Sequence, residues 1–122
     1  MNTIKKTLVL GASENPDRYS NMAIRRLRSH QHEVLAIGNK EGKVLDVAIQ
    51  KETEPFQHID TVTLYLNPRN QQAYYDYIIN LHPRRIIFNP GTENPDLEAR
   101  ANAAGIETME ACTLVLLSTG QY

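Results

Sequence analysis

The sequence is short of the features that mark several protein classes. Cysteine occurs once, at Cys112, so no internal disulfide can form and no cysteine-built zinc site exists. Neither charge sign is in surplus: 13 Lys and Arg face 14 Asp and Glu, a net charge of -1. A nucleic-acid coat or a polybasic membrane anchor needs an excess of cations, so neither is expected. Long apolar runs are missing as well. The longest, Leu114 to Leu117, is far too short to span a bilayer. The first ten residues lack the apolar core and small-residue cleavage site of an export signal. Six glycines and six prolines are ordinary usage, so no low-complexity or collagen-like class applies. What is present, 122 residues with 41% hydrophobic and 22% charged, fits one cytoplasmic domain over residues 1–122.

The apolar pattern alternates between short runs and helical spacing. Thr7-Leu8-Val9-Leu10, stopped by Gly11, and Val34-Leu35-Ala36-Ile37, stopped by Gly38-Asn39, read as strands buried on both faces. Between them Ser20 can cap a helix carrying Ala23, Ile24 and Leu27 inward. Val44, Leu45, Val47 and Ile49 form a weaker third strand within Gly42 to Ile49. Val62 to Leu66 is the fourth, ending at Asn67-Pro68, an N-cap followed by proline at the first helical position. Tyr74, Tyr77, Ile78 and Leu81 then give a full helical stripe, closed by Pro83. Arg85 to Phe88 is the fifth strand, stopping at Asn89-Pro90-Gly91. Asn94-Pro95 repeats the cap device before Leu97, Ala101 and Ala104, with Gly105 as helix stop. Ile106 to Met109 is a last short strand or extended piece. Cys112 to Leu117 is either a buried helix or a surface covered by a partner.

Strands alternating with helices, joined by right-handed crossovers, give an α/β, doubly wound, Rossmann-like three-layer domain. The expected sheet is mainly parallel and five-stranded, in the order 3-2-1-4-5. Ligands of such sheets bind beyond the carboxyl ends of the strands where the winding reverses, here between the first and fourth strands. Four exit loops therefore matter: Gly11 to Asn21, Gly38 to Lys40, Leu66-Asn67, and Asn89 to Asn94.

The first loop has only the first glycine of a dinucleotide fingerprint, with Ser13 where the second would stand. Its polar run into a helix start can still hold phosphate through backbone amides and the helix dipole. Ser13, Arg18 and Ser20 would add hydroxyl and guanidinium donors. After the second strand, an NAD enzyme places an acid for the ribose hydroxyls. This chain has Asn39-Lys40, followed by Glu41. A lysine there suits a phosphorylated ribose, which coenzyme A and NADP both carry.

The run Gly11-Ala12-Ser13, Asn15-Pro16, Arg18-Tyr19-Ser20, together with Asn89-Pro90-Gly91-Thr92-Glu93-Asn94 and Glu110-Ala111-Cys112, resembles the small single-domain CoA-binding proteins. These are similar to the nucleotide-binding domain of the succinyl-CoA synthetase alpha subunit. The resemblance covers nearly the whole chain and implies a Rossmann-like fold that binds coenzyme A or an acyl-CoA. Carried over by position, it implies a contact set of Gly11, Ala12, Ser13, Asn15, Arg18, Tyr19 and Ser20 around the phosphates. Asn39 and Lys40 would meet the phosphorylated ribose, and Leu66, Asn67, Asn89, Pro90 and Gly91 the pantetheine arm. The family often ends its second strand in Val-Asn-Pro-Lys and has a second glycine soon after. This chain has Ile37-Gly38-Asn39-Lys40, and Asp46 at the later position.

No catalytic residue is assigned. His30, His32, His58 and His82 stand in no metal-ligand spacing and read as structural. The synthetase's phosphorylated histidine belongs to a second domain outside the region of likeness. Cys112 reads as a buried thiol, although a helix starting there would favour thiolate. A binding or sensing module without chemistry of its own is therefore expected. The alternatives are an NADP-dependent reductase and acyl transfer on Cys112. Leu114 to Leu117 would put apolar groups on every side of a helix, so a homodimer is expected through that segment.

Overall fold

A four-residue apolar run leaves no side chain to face water, so each such strand needs cover on both sides. In the computed structural model, which describes residues 3–122, the central strands have that cover. Thr7–Leu10 (β1), Thr61–Leu64 (β5) and Arg85–Phe88 (β6) are buried throughout. Val34–Ile37 (β2) is buried except at Leu35. They pair in parallel, with Leu8 opposite both Leu35 and Val62, and Val62 opposite Ile86.

The class is the expected Rossmann-like α/β fold, but among the described residues the sheet has seven strands: with Gly42–Val44 (β3), Val47–Gln50 (β4) and Glu107–Glu110 (β7) added, the order is β3-β4-β2-β1-β5-β6-β7. Two departures account for the difference from five. The weak third segment splits into an antiparallel hairpin, Gly42–Val44 (β3) and Val47–Gln50 (β4), with Val44 opposite Val47. Leu45 turns it with a φ of 54°, and only β4 continues the parallel sheet, on β2. At the other edge Glu107–Glu110 (β7) is a true strand, parallel to β6. The fourth expected strand also ends early, at Leu64, which places Tyr65 and Leu66 in its exit loop.

Helices cover both faces of the sheet. Tyr19–Ser29 (α1) and Thr113–Ser118 (α5) pack on the face of Val9, Ala36 and Ile87. Tyr75–Leu81 (α3) and Pro95–Ala103 (α4) pack on the face of Leu8, Leu10, Val62 and Phe88. Asn67 caps the short helix Pro68–Gln71 (α2), its side chain accepting the Asn70 amide at 2.9 Å. Asn94 likewise caps α4. Gly105 follows α4 with a φ of 81°, the conformation that ends it. The helix expected to run unbroken to Leu81 is interrupted by a tighter turn at Gln72–Tyr74. Ser20 is not a cap: the first turn of α1 closes on the Arg18 carbonyl, which accepts the amides of Asn21 and Met22, and Ser20 is buried one residue inside. No helix among the described residues is long and apolar enough to cross a membrane.

Tyr122 is anchored at the amino-terminal ends of the central strands. The Tyr122 hydroxyl and the Thr7 hydroxyl share a hydrogen bond of 2.5 Å. The main-chain oxygen of Tyr122 accepts from Lys5 Nζ and, at 3.3 Å, from Arg85 Nη2. Buried His32 packs against its ring at 4.9 Å between centroids, the two planes tilted by 56°. The Lys5 amide donates to His32 Nδ1 at 2.9 Å, so that nitrogen carries no proton. Burial, reinforced by His30, Lys5 and Arg85 and opposed by Asp60, holds the imidazole below its ordinary 6.5. A proton therefore binds the unfolded chain preferentially: the titration of His32 destabilises the fold as pH falls through 6.5, and contributes nothing above it. The thermal midpoint is expected to drop between pH 7 and pH 5, and His32→Gln, which keeps an acceptor but does not titrate, to flatten that drop. A wild-type midpoint that stays constant over this range contradicts the assignment.

Candidate functional site

The winding reverses between β1 and β5: the chain leaves β1 toward β2 and leaves β5 toward β6. Their exit loops diverge there and leave a cleft of about 870 Å³, within the usual range for small-molecule sites. Two glycines let the backbones approach closely enough to form its floor. Gly11 has a φ of 98°, and a β-carbon on it would lie 2.9 Å from the Tyr65 carbonyl carbon. One on Gly38 would lie 2.3 Å from the Ala12 carbonyl oxygen. The Ile37 carbonyl accepts both the Gly11 and Ala12 amides at 2.9 Å, which locks the first loop to the second.

The first loop is shaped by its own side chains. Ser13 Oγ accepts the Asn15 amide at 3.0 Å, Asn15 Oδ1 accepts the Asp17 amide at 2.9 Å, and Asn21 Nδ2 donates to the Ser13 carbonyl at 3.0 Å. Glu14 reaches across to accept the Lys43 amide at 2.8 Å. The loop then enters α1, whose amino terminus differs from those of α2 and α4. Among the described residues no side chain caps it and no acid stands in its first turn, whereas α4 has both an asparagine cap and Asp96 and Glu98. The first-turn amides of Tyr19 and Ser20 thus have no intrahelical acceptor, and both residues line the cleft. Arg18 is exposed beside them and forms no ion pair among the described residues. Asp17 contributes an acid to the same wall.

Of the residues expected at the site, Gly11, Ala12, Ser13, Arg18, Tyr19, Ser20, Asn39, Leu66, Asn67, Pro90 and Gly91 line this one cleft. Asn15, Lys40 and Asn89 do not. Asn15 serves the turn just described. Lys40 is an exposed residue one position beyond Asn39. Asn89 is buried, and its amide is fully engaged inward: Nδ2 donates to Thr63 Oγ1 at 2.7 Å and to the Leu64 carbonyl at 2.9 Å, while Oδ1 accepts the Thr113 amide at 2.9 Å. It ties the β6 exit to β5 and α5 instead of facing a ligand. Cys112 is half-buried just ahead of α5 and lies outside the cleft lining.

The cleft also takes in Ile37, Gly38, Tyr65, Asn70, Tyr74 and Thr92. Burial pushes the Tyr65 phenol far above its ordinary range, against the opposing pull of Thr113 and Thr63. Among the described residues no group of His, Cys, Asp or Glu could hold a metal ion. The arrangement therefore offers backbone amides, hydroxyls, side-chain amides and one free guanidinium, a set suited to binding an anionic, extended molecule.

A family model described as a CoA binding domain matches residues 5–118. One solved structure, described as an uncharacterized protein, is 50% identical over 99% of this chain and 100% of its own, with a TM-score of 0.97. A hypothetical protein from Pyrococcus horikoshii OT3 is 24% identical over 95% of this chain and 83% of its own, with a TM-score of 0.85. A protein from Thermus thermophilus is 21% identical over 98% and 91%, with a TM-score of 0.81. The last two share the fold. No curated protein matches the chain.

Because the collision at Gly38 is with backbone, Gly38→Ala cannot be absorbed by a side-chain rotation. It is expected to lower unfolding stability by roughly 1–3 kcal/mol, measured by denaturant titration, whereas Asn39→Ala next to it leaves stability near wild type. Equal stabilities for the two variants would show that the floor of the cleft is looser than described.

Proposed function

The chain belongs to the CoA binding domain family, and from that premise we propose that the cleft between β1 and β5 binds coenzyme A or an acyl-CoA. The observation that carries this reading is the open amino terminus of α1: Arg18, Tyr19 and Ser20 line the cleft, and among the described residues no side chain caps the helix and Arg18 forms no ion pair. In this proposal the diphosphate lies against the loop from Gly11 to Ser20, where the amides, Ser13 and Arg18 neutralise it. The arm runs along Leu66, Asn67, Pro90 and Gly91. Lys40 stands where an NAD enzyme would hold an acid, and a cation there favours a phosphorylated ribose. Lys40 is close enough in sequence to supply charge to that phosphate without lining the cleft itself.

The role proposed is a binding or sensing module in the cytoplasm, with a small molecule of the CoA type as its partner and no reaction of its own. Cys112 lies outside the cleft lining, so acyl transfer on its thiol is not the reading adopted. An NADP-dependent reductase remains the competing class for the titration to reject. A homodimer is a separate proposal. It rests on less of the tail than the sequence pattern suggested, since α5 buries Leu117 and half-buries Leu114 and Leu116, leaving Val115 exposed.

Calorimetric titration is expected to give tighter binding of coenzyme A than of NAD or NADP. Equal or tighter binding of NADP would reverse the assignment. A charge-assisted phosphate contact contributes on the order of 1.5–3 kcal/mol, so Arg18→Ala should weaken coenzyme A binding roughly ten- to a hundredfold. An unchanged dissociation constant would remove Arg18 from the phosphate site. For assembly, light scattering over a dilution series should report twice the chain mass, and a monomer mass at every concentration rejects the dimer.

A further inference from the structure

We propose that Gln71, which lies outside the cleft lining, is a positioning residue that sets the spacing between the two loops against which the arm of the ligand lies. Gln71 is completely buried, where an amide is costly unless every polar atom finds a partner. Its Nε2 donates to the Leu66 carbonyl at 2.8 Å and to the Thr92 carbonyl at 2.8 Å. Both carbonyls lie beyond the ends of their strands, where no sheet ladder is available to satisfy them. Leu66 belongs to the β5 exit and Thr92 to the β6 exit, and both line the cleft. One side-chain nitrogen therefore holds two separate loops at a fixed distance.

The other end of the amide is fixed as firmly. Gln71 Oε1 accepts from Asn94 Nδ2 at 2.9 Å, and the same Nδ2 donates to the Tyr75 hydroxyl at 2.8 Å. Asn94 Oδ1 meanwhile caps α4 through the amides of Asp96 and Leu97. The Gln71 amide is thereby oriented by a helix cap and cannot flip without breaking it. Only a side chain with two donors at this point can bridge the loops. Glutamate has the same size and can still accept from Asn94, but it sets an oxygen against two carbonyl oxygens. Methionine keeps the volume and supplies no hydrogen bond.

The inference rests on the coenzyme A reading for its ligand, and the test separates the two. Wild type, Gln71→Glu, Gln71→Met and a control core variant on the same face, Ile78→Val, are compared for binding of coenzyme A and of its phosphoadenosine diphosphate half, which lacks the pantetheine arm. Amide hydrogen exchange is followed at Leu66-Asn67 and Gly91-Thr92 in the ligand-free proteins. Both Gln71 variants are expected to weaken coenzyme A binding by about tenfold or more, to leave the half-molecule within about twofold, and to speed exchange at both loops together. Ile78→Val, although less stable, should change neither the affinity ratio nor those loops. Equal losses for the whole and the half-molecule, or exchange that stays at wild-type rates, would overturn the positioning role. If wild type binds neither ligand, the coenzyme A reading falls, and exchange in the ligand-free variants alone decides whether Gln71 couples the loops.

Discussion

At the carboxyl end of β1 the chain passes within van der Waals reach of two neighbouring backbones, and nothing larger than hydrogen fits at either point. Gly11 lies against Tyr65 and Gly38 against Ala12. The cleft exists because β1 sits between strands whose connections leave in opposite directions. Its floor is smooth because these two residues have no side chain. The double acceptance at the Ile37 carbonyl then fixes the loop that enters α1. Helix, floor and far wall keep their relation to one another through that contact.

The three helices that begin near the cleft treat their amino termini differently. Asparagines close α2 and α4, and α4 adds carboxylates that favour its dipole. At α1 neither device is used, and an exposed arginine stands at the cap position. Leaving the first turn open forgoes the stabilisation a cap usually gives, on the order of 1 kcal/mol. An anion supplied from outside would restore it. Behind the opposite wall Asn89, Gln71 and Asn94 are buried and direct their amides inward. One wall thus offers partners to a ligand while the other keeps its shape.

Much of this was legible in the sequence, and the misses have physical reasons. Short apolar runs ended by Gly11, Gly38 and Asn89 located the central strands, and the Asn-Pro pairs located two helix starts, because both signals depend on local chemistry. The hairpin at Leu45 was obscure because Leu45 takes a positive φ that no glycine announces. Ser20 was misread as a cap because the helix closes on the Arg18 carbonyl, two residues ahead of it. Asp17, Gly38 and Thr92 lay in exit loops already singled out. Asn70 and Tyr74 reach the cleft from α2 and the turn after it, and their sequence pattern signals only packing. Asn89 illustrates the opposite error: a polar residue at a strand exit was assigned to the ligand, while its three hydrogen bonds all serve the fold.

The central claim is that the open start of α1 and the loops across from it form one binding surface. Backbone amide chemical shifts, followed by NMR as coenzyme A is added to the isotopically labelled protein, test that claim most directly. The account predicts the largest shifts at Ser13 and from Arg18 to Ser20, with smaller ones at Asn39, Leu66-Asn67 and Gly91-Thr92, and none along a second, separate groove lined by Phe56, His58, Tyr77 and Leu81. Shifts centred on that groove, or none at saturating coenzyme A, would contradict it.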